Sequence, residues 1–108
     1  MIDYEDFEQM DIRIGTILSV EAVEGSNKLL KLSVDLGEEE SRQIVSGIAK
    51  YFIDPQSLVN RQVPVLTNLK PREIMGLISE GMILAASGGG AFSLLSPEEE
   101  VPPGSLVH

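Results

Sequence analysis

The chain has no cysteine and no tryptophan, and its single histidine is the last residue, His108. A disulfide framework, a thiolate metal site and a cysteine nucleophile are therefore excluded. With no internal histidine, a Ser/His nucleophile system cannot be assembled within one chain. A histidine at a frayed terminus is a poor catalyst or metal ligand, so no metal and no cofactor are expected. Bases are also scarce: 8 Lys and Arg stand against 17 Asp and Glu, for a net charge of −9. That balance argues against general affinity for nucleic acid or membrane surfaces. No apolar run approaches the roughly 20 residues of a membrane span. The acidic start "MIDYEDFEQMD" lacks the basic-then-apolar pattern of a secretory leader. The expectation is a soluble, cytoplasmic protein with no membrane partner.

What is present fits one small folded domain. The 108 residues are 43% hydrophobic, enough for a modest core. Asp3 is a good N-cap, and Tyr4, Phe7 and Met10 follow at three-residue spacing, which predicts a short N-terminal helix over residues 1–10. "DIRIGTILSVEAV" alternates as a long strand, with Ile12, Ile14, Ile17 and Val20 on one side and a bulge or bend expected at Gly15. "LLKLSVDL" and "RQIVS" read as a hairpin around "GEEES". Asp54-Pro55 opens a brief helix over Gln56 to Val59, with Asn60 as its C-cap. "QVPVLTNL" is a fourth strand, with Pro64 implying an edge position or a bulge. "EGMILAAS" is a fifth. "GGG" at Gly88–Gly90 lacks the Gly-Lys-Ser/Thr of a P-loop and reads as a turn before a short added strand. Five or six short strands, with one helix between the third and fourth and no crossover helices, predict an all-β Greek-key barrel. A five-stranded oligonucleotide/oligosaccharide-binding (OB) barrel carries its helix at that place. The barrel is expected over residues 11–87 and a C-terminal extension over 88–108, all within one domain of residues 1–108.

Charge is distributed unevenly. Eleven of the seventeen acids fall in residues 1–11, in Glu38–Glu40 and in Glu98–Glu100, whereas five bases face three acids between Ser41 and Pro97. A locally positive face is therefore compatible with an acidic chain. Its centre is "NLKPREIMGLISEGM". There Lys70 and Arg72 flank Pro71 and point the same way from a stiffened backbone, a two-pronged contact for phosphates. The competing reading is ordinary solubilising charge beside a turn. The acid pairs sit in turn-like segments without apolar walls to separate their pKa values, so binding is expected rather than catalysis. The five aromatics (Tyr4, Phe7, Tyr51, Phe52 and Phe92) lie outside the four main strands. Base stacking along the barrel is then poorly supported, and recognition of a folded RNA by shape and backbone suits the sequence better.

"DIRIGTI", "RQIVSGIAKY", "NLKPREIMGLISEGMILAAS" and "PPGSLVH" together resemble the tRNA-binding OB-domain family. That family includes free-standing bacterial tRNA-binding proteins and the C-terminal domain of methionyl-tRNA synthetases, with CsaA-type chaperones and EMAP-II-like domains as relatives. The resemblance covers about Phe7 to His108. It implies a non-catalytic homodimer that binds the outer corner of tRNA and serves an aminoacyl-tRNA synthetase. It also implies that Lys28, Arg42, Ser46, Asn68, Lys70, Arg72, Ser79 and Met82 lie on or under the binding face, with the acidic N-terminal helix and the tail after Pro97 serving dimerisation. Glu73 and Glu80 stand inside the motif, so weaker and more salt-sensitive RNA binding is expected. The starting Met favours a free-standing protein over an excised synthetase domain. The alternative function is a CsaA-like chaperone, holding unfolded chains in an apolar groove near Met75, Leu77, Ile78 and Met82.

Overall fold

The computed structural model describes every residue from Met1 to His108. Helix α1 spans Tyr4–Glu8 and buries none of its residues. It is started by Asp3, whose N–H donates to Asp6 Oδ2 at 3.0 Å. Strands β1 (Ile12–Ala22), β2 (Leu30–Asp35), β3 (Arg42–Ser46) and β4 (Gln62–Leu66) follow. Next come β5 (Arg72–Ile74), β6 (Leu77–Ser79), β7 (Met82–Ile83), β8 (Ala85–Gly88) and β9 (Ala91–Leu94). The main sheet is antiparallel, in the order β3-β2-β1-β4-β7, while β5-β6 and β8-β9 are separate hairpins. The architecture is a nearly closed, five-stranded OB-type barrel. No helix is long and apolar enough to cross a membrane.

The inward positions of β2 show why these segments become strands. Leu30, Leu32 and Val34 are buried while Lys31, Ser33 and Asp35 are not, the two-residue period of a half-buried strand. They join Ile17, Val20, Ile44, Leu58, Val63 and Val65 in a cluster of 13 buried residues. In β1 the apolar residues serve two faces. Strand alternation puts Ile12 and Ile14 opposite Gly15 and Ile17, and both isoleucines, though buried, stand outside the central cluster. The bulge falls at Leu18, where the register with β2 shifts between Ile17 and Ser19, and not at Gly15. Gly15 answers a different need: a Cβ there would overlap Val34 Cγ1 in the core.

One further expectation is refined and two are corrected. The helix between β3 and β4 consists of two 3-10 turns, Ala49–Tyr51 and Pro55–Leu58. Asp54 does cap the second, accepting the Gln56 N–H at 3.1 Å, and Leu58 is fully buried beneath it. Asn60 adopts a positive φ of 73° just past it. Pro64 lies in an inner strand, between β1 and β7. Its carbonyl accepts the Leu84 N–H at 3.0 Å. Its protonless nitrogen faces the same side, where β7 has already ended at Ile83, so little is lost. Finally, "EGMILAAS" is not one strand. Met82–Ile83 completes the barrel, and Ala85–Gly88 then pairs with Ala91–Leu94 around Gly89 and Gly90, both at positive φ. This hairpin runs across residue 88, where the extension was expected to start.

The tail returns to β1. Beside Ile12 and Ile14 the edge opposite β4 is filled by residues 104–107. Gly104 N–H donates to Ile14 O (2.7 Å), Ile14 N–H to Ser105 O (2.9 Å), and Val107 N–H to Ile12 O (2.9 Å). Gly104 sits at φ +90°, and a Cβ there would overlap Leu36 O. Only glycine satisfies both conditions.

Candidate nucleic-acid interface

Between Thr67 and Glu80 the chain leaves the barrel, forms the β5–β6 hairpin and returns. The hairpin turns at Met75 and Gly76, both at positive φ (49° and 80°). Arg42, at the start of β3, fastens the two ends of this excursion. Its Nη1 donates to Thr67 O at 2.7 Å and to Glu80 O at 3.2 Å. Beside it the barrel closes through two side-chain bonds and one backbone bond rather than a strand ladder. Gln43 Nε2 donates to Ile78 O (2.9 Å), Glu80 N–H donates to Gln43 O (2.8 Å), and Val45 N–H donates to Ser79 Oγ (2.9 Å).

Lys70 and Arg72 project from the excursion into solvent, and neither takes part in a salt bridge. Together with Ser79 and Met82 they line one small recess, floored by Val45, Leu69 and Ile74. The two bases thus share one side of the extended segment. In the β5–β6 register Arg72 pairs with Ser79 and Glu73 with Ile78. Alternation therefore turns Glu73 to the opposite face from Arg72. Glu80 belongs to a second, larger recess across the knuckle. It is lined by Glu38, Glu39, Glu40, Arg42, Thr67 and Pro71 among others, and holds about 520 Å³. Glu73 is thus turned away from Arg72, and Glu38, Glu39, Glu40 and Glu80 line a recess other than the basic one.

Of the eight expected site residues, four meet at that recess: Lys70, Arg72, Ser79 and Met82. Ser79 is buried, and its hydroxyl is taken up by Val45 N–H and Gly81 O. Asn68 is committed within the chain: its Oδ1 accepts the Asp11 N–H (2.9 Å) and its Nδ2 donates to Gln9 O (2.7 Å), tying the exit of α1 to the barrel. Arg42 is equally engaged, through Glu38 as well as its two carbonyls. Ser46 and Lys28 lie at the far end of β3. Ser46 pairs with Leu30, and Lys28 O accepts the Ala49 N–H at 3.0 Å. Arg42 and Ser46 are four residues apart on one strand, a span of about 13 Å. The expected apolar groove is not a single feature. Met75 and Leu77 line a recess with Ala22 and Val23, whereas Met82 belongs to the basic recess and Ile78 faces away from Leu77.

Sequence reasoning did not single out Glu38, Gln43 or Thr67. Thr67 is buried, and its hydroxyl donates to the Asp11 carboxylate at 2.9 Å. The Glu38–Arg42 pair has four-residue spacing, but it lies in a loop and a strand, where that spacing signals nothing. The Arg42 hydrogen bond holds the Glu38 carboxyl below the usual carboxylate range, and Glu38 pushes Arg42 up. Because the folded-state value of Glu38 is depressed, the pair's stabilisation is present above the ordinary carboxyl range. It is lost as pH falls through that lowered value. No group of three or more acidic or histidine residues is arranged to hold a metal.

The buried seam gives a direct test. Ser79→Ala strands the Val45 N–H without a partner and is expected to cost about 2 kcal/mol of stability, read by urea unfolding. Loss of RNA binding with unchanged stability would instead assign the hydroxyl to the ligand.

Residues 12–106 match the family model described as "Putative tRNA binding domain". Among curated proteins, the methionine–tRNA ligase of Methanococcoides burtonii is 51% identical over 109 residues, covering all of this chain and 16% of the ligase. That of Archaeoglobus fulgidus is 53% identical over 106 residues, covering 98% of this chain and again 16% of the ligase. The chain thus spans about a sixth of the length of these relatives. Among solved structures, a MetRS-related protein from Pyrococcus horikoshii superposes with a TM-score of 0.92 at 34% identity, covering 100% of this chain and 98% of that one. The chaperone CsaA from Bacillus anthracis superposes with a TM-score of 0.88 at 30% identity, covering 100% and 99%.

Proposed function

We propose, on the premise that this chain belongs to the tRNA-binding domain family, that it is a cytoplasmic homodimer that holds tRNA by shape and phosphate backbone and aids an aminoacyl-tRNA synthetase. The domain itself is a binding module and not the catalytic part of a ligase. The observation that carries the reading is the pair of unpaired cations, Lys70 and Arg72, over one recess. Planar guanidinium and compact ammonium groups side by side suit successive phosphates. The aromatics support backbone over base recognition, because Tyr51, Phe52 and Phe92 pack on one another away from the recess. In this reading Arg42, Asn68 and Ser79 shape the face from beneath it, while Lys28 and Ser46 extend it along β3.

The dimer is supported by apolar surface outside the barrel. Helix α1 has no fully buried residue, and Ile2, Tyr4 and Met10 around it are exposed, as are Leu95 and Leu106 near the tail. A second copy would cover these groups, and two related basic recesses would then form one composite surface. Size-exclusion chromatography with light scattering, with and without total tRNA, tests both parts. A dimer mass alone and a heavier complex with tRNA are expected; a monomer unaffected by tRNA would refute the reading.

The likeness to CsaA favours one alternative, a protein-binding chaperone. Its surface would be the recess of Met75, Leu77, Ala22 and Val23. Suppressed aggregation of a model substrate without tRNA binding would select it.

A further inference from the structure

The Arg42 guanidinium is divided between two tasks. Nη1 points inward and bonds Thr67 O and Glu80 O. The opposite edge, Nε and Nη2, forms a fork on Glu38 Oε1 and Oε2 at 2.8 Å each. That edge is the part of arginine that matches carboxylate and phosphate equally well. Glu38 is its outer cover: the Glu38 side chain is 44% exposed against 25% for Arg42. Glu38 is also free to leave. It lies in the loop between β2 and β3, and neither its N–H nor its carbonyl makes a backbone hydrogen bond. The Arg42 strut does not depend on it.

We propose that the Nε–Nη2 edge of Arg42 is a latent phosphate subsite, that Glu38 occupies it in the free protein as an internal phosphate mimic, and that an RNA phosphate takes its place on binding. This rests on the tRNA reading above. The subsite opens onto the 520 Å³ recess across the knuckle from Lys70 and Arg72, room enough for a ribose-phosphate. Glu39, Glu40 and Glu80 also line that recess and repel a free anion. Only a polyanion already anchored by Lys70 and Arg72 brings a phosphate to Arg42 at a local concentration that displaces a carboxylate. Glu38 thereby selects extended phosphate backbones over small anions. Lys70 and Arg72 provide the anchor, and Arg42 is the second contact, conditional on it.

The test compares Glu38→Gln with Glu39→Gln in the full chain. Both remove one negative charge from the same loop, but Glu39 has no partner in the fold. Filter binding to total tRNA is expected to tighten about fivefold for E38Q and less than twofold for E39Q. Equal effects, or weaker binding by E38Q, overturn the proposal. The Arg42 Nε–H resonance of the unmutated protein supplies a measurement independent of mutation. It is expected to shift on titration with tRNA, and an unmoved resonance at saturation also overturns the exchange. Lys70→Ala with Arg72→Ala separates the two levels. If that variant binds tRNA normally, the underlying reading fails; if it binds weakly while E38Q and E39Q match, only the exchange fails.

Discussion

Lys70→Ala combined with Arg72→Ala is expected to weaken tRNA binding by about a hundredfold at moderate salt, with the melting temperature unchanged. Each side chain would lose one charge-assisted contact of about 1.5 kcal/mol, and the two together about 3 kcal/mol. Neither residue is buried or hydrogen-bonded within the fold, so no structural cost accompanies the change. The salt dependence is diagnostic. Two phosphate contacts contribute a slope of about 1.4 to 1.8 in magnitude in log affinity against log salt, and the variant should lose that much. A loss of affinity with an unaltered slope would mean that the bases act through the hairpin's shape. The single substitutions should each produce about half the effect in free energy if the two bases contact separate phosphates.

The second large effect is on stability. Ile44→Ala is expected to cost about 3 kcal/mol, the range found when a fully buried aliphatic side chain is cut back to alanine. Ile44 lies between Gln43 and Val45, the two residues that close the barrel onto Ile78, Ser79 and Glu80. A side chain added at Gly81 would meet Ile44 Cδ1 at 3.4 Å, which places Ile44 directly under the return of the excursion. The void therefore opens under the seam. Chemical denaturation gives the total cost, and amide exchange at Val45 and Glu80 shows where it falls. Both amides should exchange faster than those of the β1–β2 ladder. If protection drops evenly over the barrel, the seam is not a separate weak point.

The strands β1 to β4 were legible because their inward residues are large and their outward ones polar, as in Leu30, Leu32 and Val34 against Lys31, Ser33 and Asp35. The segments that were misjudged lack that contrast. "MILAAS" holds apolar and small residues in a row, so nothing in it marks the break at Leu84 between barrel and hairpin. The β5 and β6 strands have three residues each, too few to show a period. Their turn places Met75 at positive φ where Asn or Asp before Gly is the usual signal. Gly15 is ambiguous in principle, since a glycine within a strand marks either a bulge or a close approach. That Lys70 and Arg72 carry exposed charge was legible locally, but local pattern alone did not separate a phosphate contact from solubilising charge. The commitments of Arg42 to Thr67, of Ser79 to Val45 and of Asn68 to Asp11 were not legible, because these partners lie 25, 34 and 57 residues away. Local pattern finds which side chains carry charge; only the closed barrel decides which of them are still free to use it.

The return of the tail to β1 also orders events in time. Arg13 bonds Gly104 across 91 residues, so β1 is completed by a segment made long after it. Such distant closure is slow, because the loop entropy is lost before the contact forms. Until Gly104 to Val107 leave the ribosome, the backbone from Ile12 to Ile14 presents an open edge, a template for pairing with another chain. Residues 104–107, though they add little to the core, act as the barrel's own late-arriving guard against misassembly.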